Sequence, residues 1–147
     1  QVAARVAIEG VLREGLGVAQ RFTALPWVRE QFARKLDLDL YPGTVNLQVA
    51  DPAAQALLAQ LREGRAVDPA SGLVLEGVAI DPPEPGYCVG WAYPARLGAL
   101  PAAVIVPHVP DYPPDKLELV AAVRVRDALD LQPGAPLRVE LLAADAR

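Results

Sequence analysis

Leu40-Tyr41-Pro42-Gly43-Thr44-Val45-Asn46-Leu47-Gln48-Val49 is the stretch on which the reading turns. Pro42 presets φ at the second position of a tight turn, and Gly43 accepts positive φ at the third. Residues 44–49 then read as a strand. Side chains alternate along a strand, so Val45, Leu47 and Val49 point to one face and Thr44, Asn46 and Gln48 to the other. The apolar face belongs to a core. The polar face sets a hydroxyl and an amide oxygen side by side just after the turn. Two neutral oxygen ligands suit a hard cation such as Mg²⁺, which keeps several waters and takes its remaining ligands from phosphates. An ordinary half-exposed strand would show the same alternation.

Upstream of this stretch, residues 6–12 read as a strand, Gly15-Leu16-Gly17 breaks it, and residues 21–25 resume an extended path. Pro26 suits the first position of a helix, along which Val28, Phe32 and Leu36 recur on one stripe. Downstream, Asp51 and Pro52 open a second helix as N-cap and first residue. Leu57, Leu58 and Leu61 form its buried side, and Gly64 is its C-cap. A turn at residues 68–72 leads to a strand over 73–80. Asp81-Pro82-Pro83-Glu84-Pro85-Gly86 can be neither helix nor central strand. Residues 87–93 and 102–106 are further strands, and the proline-rich run 108–115 is a rigid loop. Residues 116–126 read as one long strand, 127–131 as a helical turn and 137–142 as the last strand. Many short strands with few helices point to a β-barrel, although propensity alone does not separate barrel from sandwich.

The chain of 147 residues suffices for one domain with a sizeable core, and a hydrophobic content of 52% argues against disorder. A net charge of −4 argues against a general nucleic-acid binder. Lys35 and Lys116 are the only lysines, so a phosphate clamp must lean on arginine forks and backbone N–H groups. Cys88 is the single cysteine and has no internal disulfide partner, which fits a reducing, cytoplasmic setting. No apolar run approaches the ~20 residues of a membrane span. No signal peptide is visible, and the opening at Gln1 rather than Met leaves room for an upstream segment.

Three groups of residues could carry chemistry besides Thr44 and Asn46. Gly15 and Gly17 would let backbone N–H groups approach phosphate oxygens, or would simply let a strand bend. No Walker A lysine follows, and Gln20 stands where a dinucleotide fingerprint needs its third glycine. With unbroken alternation over 116–126, Glu118, Arg124 and Arg126 share one face, as a charged site or as cross-strand pairs. His108, the only histidine, reads as a surface loop residue rather than a metal ligand. Tyr87, Trp91 and Tyr93 alternate along one strand and suit barrel packing more than a ligand slot.

Pro42-Gly43-Thr44-Val45-Asn46-Leu47, with Gly15-Leu16-Gly17 before it and Leu117-Glu118-Leu119-Val120-Ala121 and Arg124-Val125-Arg126 after it, resembles the archaeal-type CTP-dependent riboflavin kinases. Order and spacing fit over residues 8–140, and the middle, 51–98, matches in element order only. The resemblance implies a six-stranded cradle-loop barrel with a few peripheral helices, forming one domain over 1–147 and acting as a monomer. It implies transfer of the γ-phosphoryl group of CTP to riboflavin, with small-molecule substrates and neither nucleic acid nor membrane as partner. It places Mg²⁺ on Thr44 and Asn46. It places the nucleotide on Gly15, Leu16, Gly17, Val18, Ala19 and Gln20 and on Val123, Arg124, Val125 and Arg126. It places the flavin on Glu118 and Pro110, and it names no catalytic base. Two departures stand out. Val18-Ala19-Gln20 replaces a glutamate, a glycine and a basic residue. Pro110 replaces a threonine that contacts the flavin, and Tyr112 falls where the family has a histidine. These departures motivate an alternative, a non-catalytic nucleotide- or flavin-binding regulatory module on the same barrel.

Overall fold

The computed structural model describes residues 4–14, 21–83 and 90–144. In chain order its elements are β1 (Arg5–Arg13), α1 (Pro26–Leu36), β2 (Val45–Gln48), α2 (Pro52–Leu61), β3 (Arg65–Val67), β4 (Val74–Glu76), β5 (Val78–Ile80), β6 (Gly90–Leu97), β7 (Leu100–Pro107), β8 (Lys116–Ala121), α3 (Val125–Ala128) and β9 (Pro136–Leu142). A 3₁₀ turn lies at Phe22–Ala24. Six strands close into an antiparallel barrel in the order β6-β7-β8-β2-β1-β9. The closure runs through the pairs Ala95↔Leu141 and Arg96↔Glu140. β5 lies outside the barrel on the edge of β6, and β3 and β4 form a separate hairpin. The expected mainly β barrel with peripheral helices is therefore present.

Alternation decides which side chains fill the interior. β1 sends Val6, Ile8 and Leu12 inward, where they meet Leu47 of β2, Leu117 and Leu119 of β8, Val104 of β7, Tyr93 of β6 and Leu141 of β9. Leu57, Leu58 and Leu61 of α2 join the same cluster. Asp51 caps α2 by accepting from Ala54 N–H at 3.1 Å, and Pro52 is its first residue. A second apolar cluster lies on the outside of the barrel. There Val28 and Phe32 of α1 pack on Ile80, Ala92, Ala103, Ile105 and Val120. Among the described residues no helix is long and apolar enough to cross a membrane.

Four sequence expectations need correction. Residues 21–25 do not run extended: Ala24 N–H bonds Arg21 C=O and Leu25 N–H bonds Phe22 C=O, and the Phe22 ring sits edge-on to Trp27. Residues 73–80 form two strands, because β4 pairs with β3 while β5 pairs with β6. The break falls at Gly77, whose N–H bonds Gly64 C=O and where a Cβ would lie 2.8 Å from that oxygen. Of the strand expected over 87–93, residues 87–89 lie outside the described residues, and β6 runs on to Leu97. Pro94 is tolerated inside it because pairing with β9 begins only at Ala95. The fourth correction shapes the candidate site. The long strand over 116–126 stops at Ala121.

Candidate functional site

The turn behaves as its residues dictate. Gly43 has φ 116°, which only glycine adopts without strain, and Pro42 precedes it. The chain then enters β2, held between β1 and β8. The register sets Arg13 opposite Asn46, Asn46 opposite Glu118, and Glu118 opposite Ile105. Paired residues share a face, so a polar row crosses the outside of the barrel. Thr44, two places before Asn46, faces the same way and donates its hydroxyl to Glu118 Oε2 at 3.0 Å.

Glu118 is fully buried, with 0% exposure, and Asn46 is buried at 7%. A buried carboxylate is costly unless hydrogen bonds satisfy it. Here Tyr112 donates its phenol to Oε1 at 2.8 Å while Thr44 holds Oε2. Burial, followed by the neighbouring Glu118 charge, pushes the Tyr112 phenol well above the usual tyrosine range. It therefore remains an O–H donor. Arg62, at the end of α2, lies over the Tyr112 ring at 5.4 Å and donates to Pro113 C=O at 2.8 Å. That contact fixes the loop carrying Tyr112 against α2.

Two clefts flank this row. The first, about 240 Å³, is lined by Gly43, Thr44, Val45, Arg124, Val125 and Arg126. The second, about 230 Å³, is lined by Arg13, Asn46, Gln48, Asp115 and Lys116. Thr44 borders one and Asn46 the other, so the polar face of β2 forms part of the wall between them. In the second cleft Arg13 Nε donates to Gln48 Oε1 at 2.8 Å, and Gln48 Nε2 donates to Asp115 Oδ2 at 3.1 Å.

Past Ala121 the chain bends and enters α3, so Glu118 does not share a strand face with Arg124 and Arg126. The cause is a helical period beneath the apparent alternation. Val125 is buried and Leu129 packs against the same core, one helical turn apart. Val123 is left exposed at 41%. Arg124 pairs with Asp127 at 3.1 Å across one turn, and Arg126 reaches Glu14 at 3.8 Å. The arginines still line the first cleft together with Thr44, by a route that strand alternation did not foresee.

Gly15, Leu16, Gly17, Val18, Ala19 and Gln20 lie outside the described residues. Their neighbours are informative. Glu14 is tied to Arg126, and Thr23 Oγ1 accepts from Gly43 N–H at 3.3 Å. Glu14, where the described chain stops, lines the second cleft and reaches Arg126 of the first, and Thr23, soon after it resumes, is tied to Gly43 of the first. Pro110 is exposed on the loop that carries Tyr112, and Asp111 after it has φ 61°. His108 is also exposed and borders a shallow groove with Arg62, Glu63 and Trp91. Tyr93 fills the barrel interior and donates to Leu61 C=O. Tyr87 lies outside the described residues, and Trp91 is half-buried against the interior cluster. Among the described residues no three His, Cys, Asp or Glu side chains gather as a metal cluster. The oxygens on this face are a hydroxyl, an amide and a buried carboxylate, which is a donor set for a hard cation.

Sequence reasoning gave no part to Tyr112, Glu14 or Thr23. The sequence marks Tyr112 only as standing where the family has a histidine; its bond to Glu118 follows from asking what satisfies a glutamate on an otherwise apolar strand.

Comparison with known proteins adds to this geometry. The family model CTP-dep_RFKase, described as "Domain of unknown function DUF120", matches residues 12–141. A riboflavin kinase of Methanosarcina mazei is 36% identical over 130 residues, covering 86% of this chain and 52% of that protein. A riboflavin kinase of Methanosarcina barkeri is 34% identical over 134 residues, covering 91% and 56%. One from Archaeoglobus fulgidus is 28% identical over 137 residues, covering 93% and 55%. The chain spans about half the length of these curated relatives.

Proposed function

This chain belongs to the riboflavin kinase family, and from that premise we propose that it transfers the γ-phosphoryl group of CTP to the 5′-hydroxyl of riboflavin, giving FMN and CDP. In that transfer the bond from Pγ to its bridging oxygen breaks, a bond from Pγ to the ribityl oxygen forms, and the hydroxyl proton is released. Such chemistry relies on positioning and charge neutralisation rather than on a covalent enzyme intermediate.

The observation that supports the reading is the convergence of the Gly43–Thr44 turn with residues 123–126 around one cleft. In this reading the nucleotide occupies that cleft. Arg124 and Arg126 supply its positive wall, and residues 15–20 supply backbone N–H groups. Thr44 and Asn46 hold Mg²⁺, which when bound neutralises charge on the nucleotide phosphates. Riboflavin lies across the β2 wall, on the side of Glu118 and of the loop that carries Pro110. CTP, rather than another nucleotide, is the donor that the family name suggests.

The test is incubation with riboflavin, Mg²⁺ and each of CTP, ATP, GTP and UTP, with FMN separated by chromatography. FMN from CTP above the other three supports the reading. FMN from ATP alone overturns the donor assignment, and no FMN from any of them overturns the kinase. Val18-Ala19-Gln20 and Pro110 favour a second reading, a non-catalytic nucleotide- or flavin-binding module. Binding of CDP or riboflavin without any FMN formation would establish it.

A further inference from the structure

Thr44, Glu118 and Tyr112 come from three different segments and meet through hydrogen bonds of 3.0 and 2.8 Å around one fully buried carboxylate. A hydroxyl has one proton and two lone pairs. Thr44 spends its proton on Glu118, and it lines the first cleft. Its oxygen can therefore act only as an acceptor or ligand toward that cleft. Glu118 sets this direction because a carboxylate can only accept. Tyr112, held as a donor, occupies the other carboxylate oxygen and fixes the plane of the group. Arg62 braces Tyr112 from the far side.

We infer that Glu118 and Tyr112 are positioning residues: they aim the lone pairs of Thr44 into the nucleotide cleft and so tune its affinity for a divalent cation. The inference rests on the proposed function, since it takes Thr44 as a cation ligand. It gives Glu118 a task beyond the flavin side, and it gives Tyr112 a task where none was assigned. It also couples the proline-rich loop to the nucleotide cleft, because Tyr112 and Pro110 share that loop. Partners that orient a ligand in this way typically govern affinity by about 10- to 100-fold.

The experiment measures CDP affinity by calorimetry, in Mn²⁺ and separately in EDTA, with Mn²⁺ binding also followed by electron paramagnetic resonance. The proteins are wild type, Tyr112→Phe, Glu118→Gln, Thr44→Val and the double variant Tyr112→Phe/Thr44→Val. Thermal melts confirm that each is folded. In Tyr112→Phe the Mn²⁺-dependent gain in affinity should fall by about 2- to 10-fold, with affinity in EDTA unchanged. Glu118→Gln should cost more, since one amide oxygen cannot accept from both hydroxyls. In the Thr44→Val background, Tyr112→Phe should have no further effect on the gain, because the ligand it orients is gone.

An equal loss from Tyr112→Phe with and without Thr44 would overturn the inference, as would an unchanged gain in both Tyr112→Phe and Glu118→Gln. Those results would leave the proposed function standing. Absence of any Mn²⁺-dependent gain in the wild type would instead overturn the cation site itself, and the inference with it.

Discussion

Glu118 and Val120 lie two places apart on β8, face the same way and are both buried, yet they belong to different kinds of surface. Val120 sits beneath α1 with Phe32, Val28 and Ala103, where burial itself is the stabilising term. Glu118 sits beside Asn46 and Thr44, where burial costs free energy that hydrogen bonds must offset. One strand face therefore changes from cement to chemistry within a single repeat of the pleat. A region that stabilises and a region that is tolerated look alike by exposure alone. They differ in what removal of one side chain should do.

The comparison breaks most sharply at Phe32. Phe32→Ala opens a cavity under α1 and should cost about 3–5 kcal/mol in urea unfolding. Its folded fraction should bind CDP as wild type does. A variant that loses binding while folded would show that the two halves of the face are not separable. Asn46→Ala should do the reverse. It should remove most of the divalent-dependent gain in CDP affinity, about 10-fold or more, with a small change in stability. Unchanged affinity for CDP with Mg²⁺ would sink the assignment of Asn46.

An alkaline titration sharpens the contrast. Burial holds Tyr112 and Tyr93 above the ordinary tyrosine range in the folded protein. Stability is then fully present below the unfolded value of about 10, and it is lost as pH rises beyond it, by about 1.4 kcal/mol per pH unit for each buried phenol. Tyr112→Phe should remove one share of that slope and Tyr93→Phe the other. Urea midpoints between pH 9 and 11 test this, and a slope indifferent to both changes would refute it. The smallest effect is expected at Pro110. Pro110→Thr restores a hydroxyl on the flavin side and should tighten riboflavin by about 2- to 10-fold, the equivalent of one hydrogen bond. Flavin fluorescence quenching measures it, and weaker binding would show that the loop needs proline more than the hydroxyl.

The barrel was legible because its signals are local. Alternation in β1 and β2, the Pro42-Gly43 turn, the Asp51-Pro52 cap and the stripe Val28, Phe32, Leu36 each follow from residues within a few places of one another. The site was legible only in part. Thr44 and Asn46 were placed on the correct face, but alternation says which way a residue points, not whether another element covers it. Asn46, on the polar face, is buried at 7% exposure. Val123-Arg124-Val125-Arg126 alternates like a strand and folds as a bend and a helical turn, because Val125 and Leu129 find the core at helical spacing. The period was present but was masked by a shorter one. No periodicity of any kind ties Tyr112 to Glu118, since the bond joins a loop to a strand.

The pairing of β1 with β9 joins the two sequence extremes of the fold, from Arg5 against Leu142 to Val11 against Pro136. This contact has a consequence for how the protein is made. Closing so long a loop is entropically expensive, and such pairings form late and slowly. While the chain is still being synthesised, β1 has no partner on one side until residues 136–142 emerge, and β6 waits for the same strand. A nascent chain halted before Pro136 therefore presents open strand edges on both sides of the gap, the state most prone to misassociation. Closure of the barrel therefore waits on its last strand, which acts as the clasp.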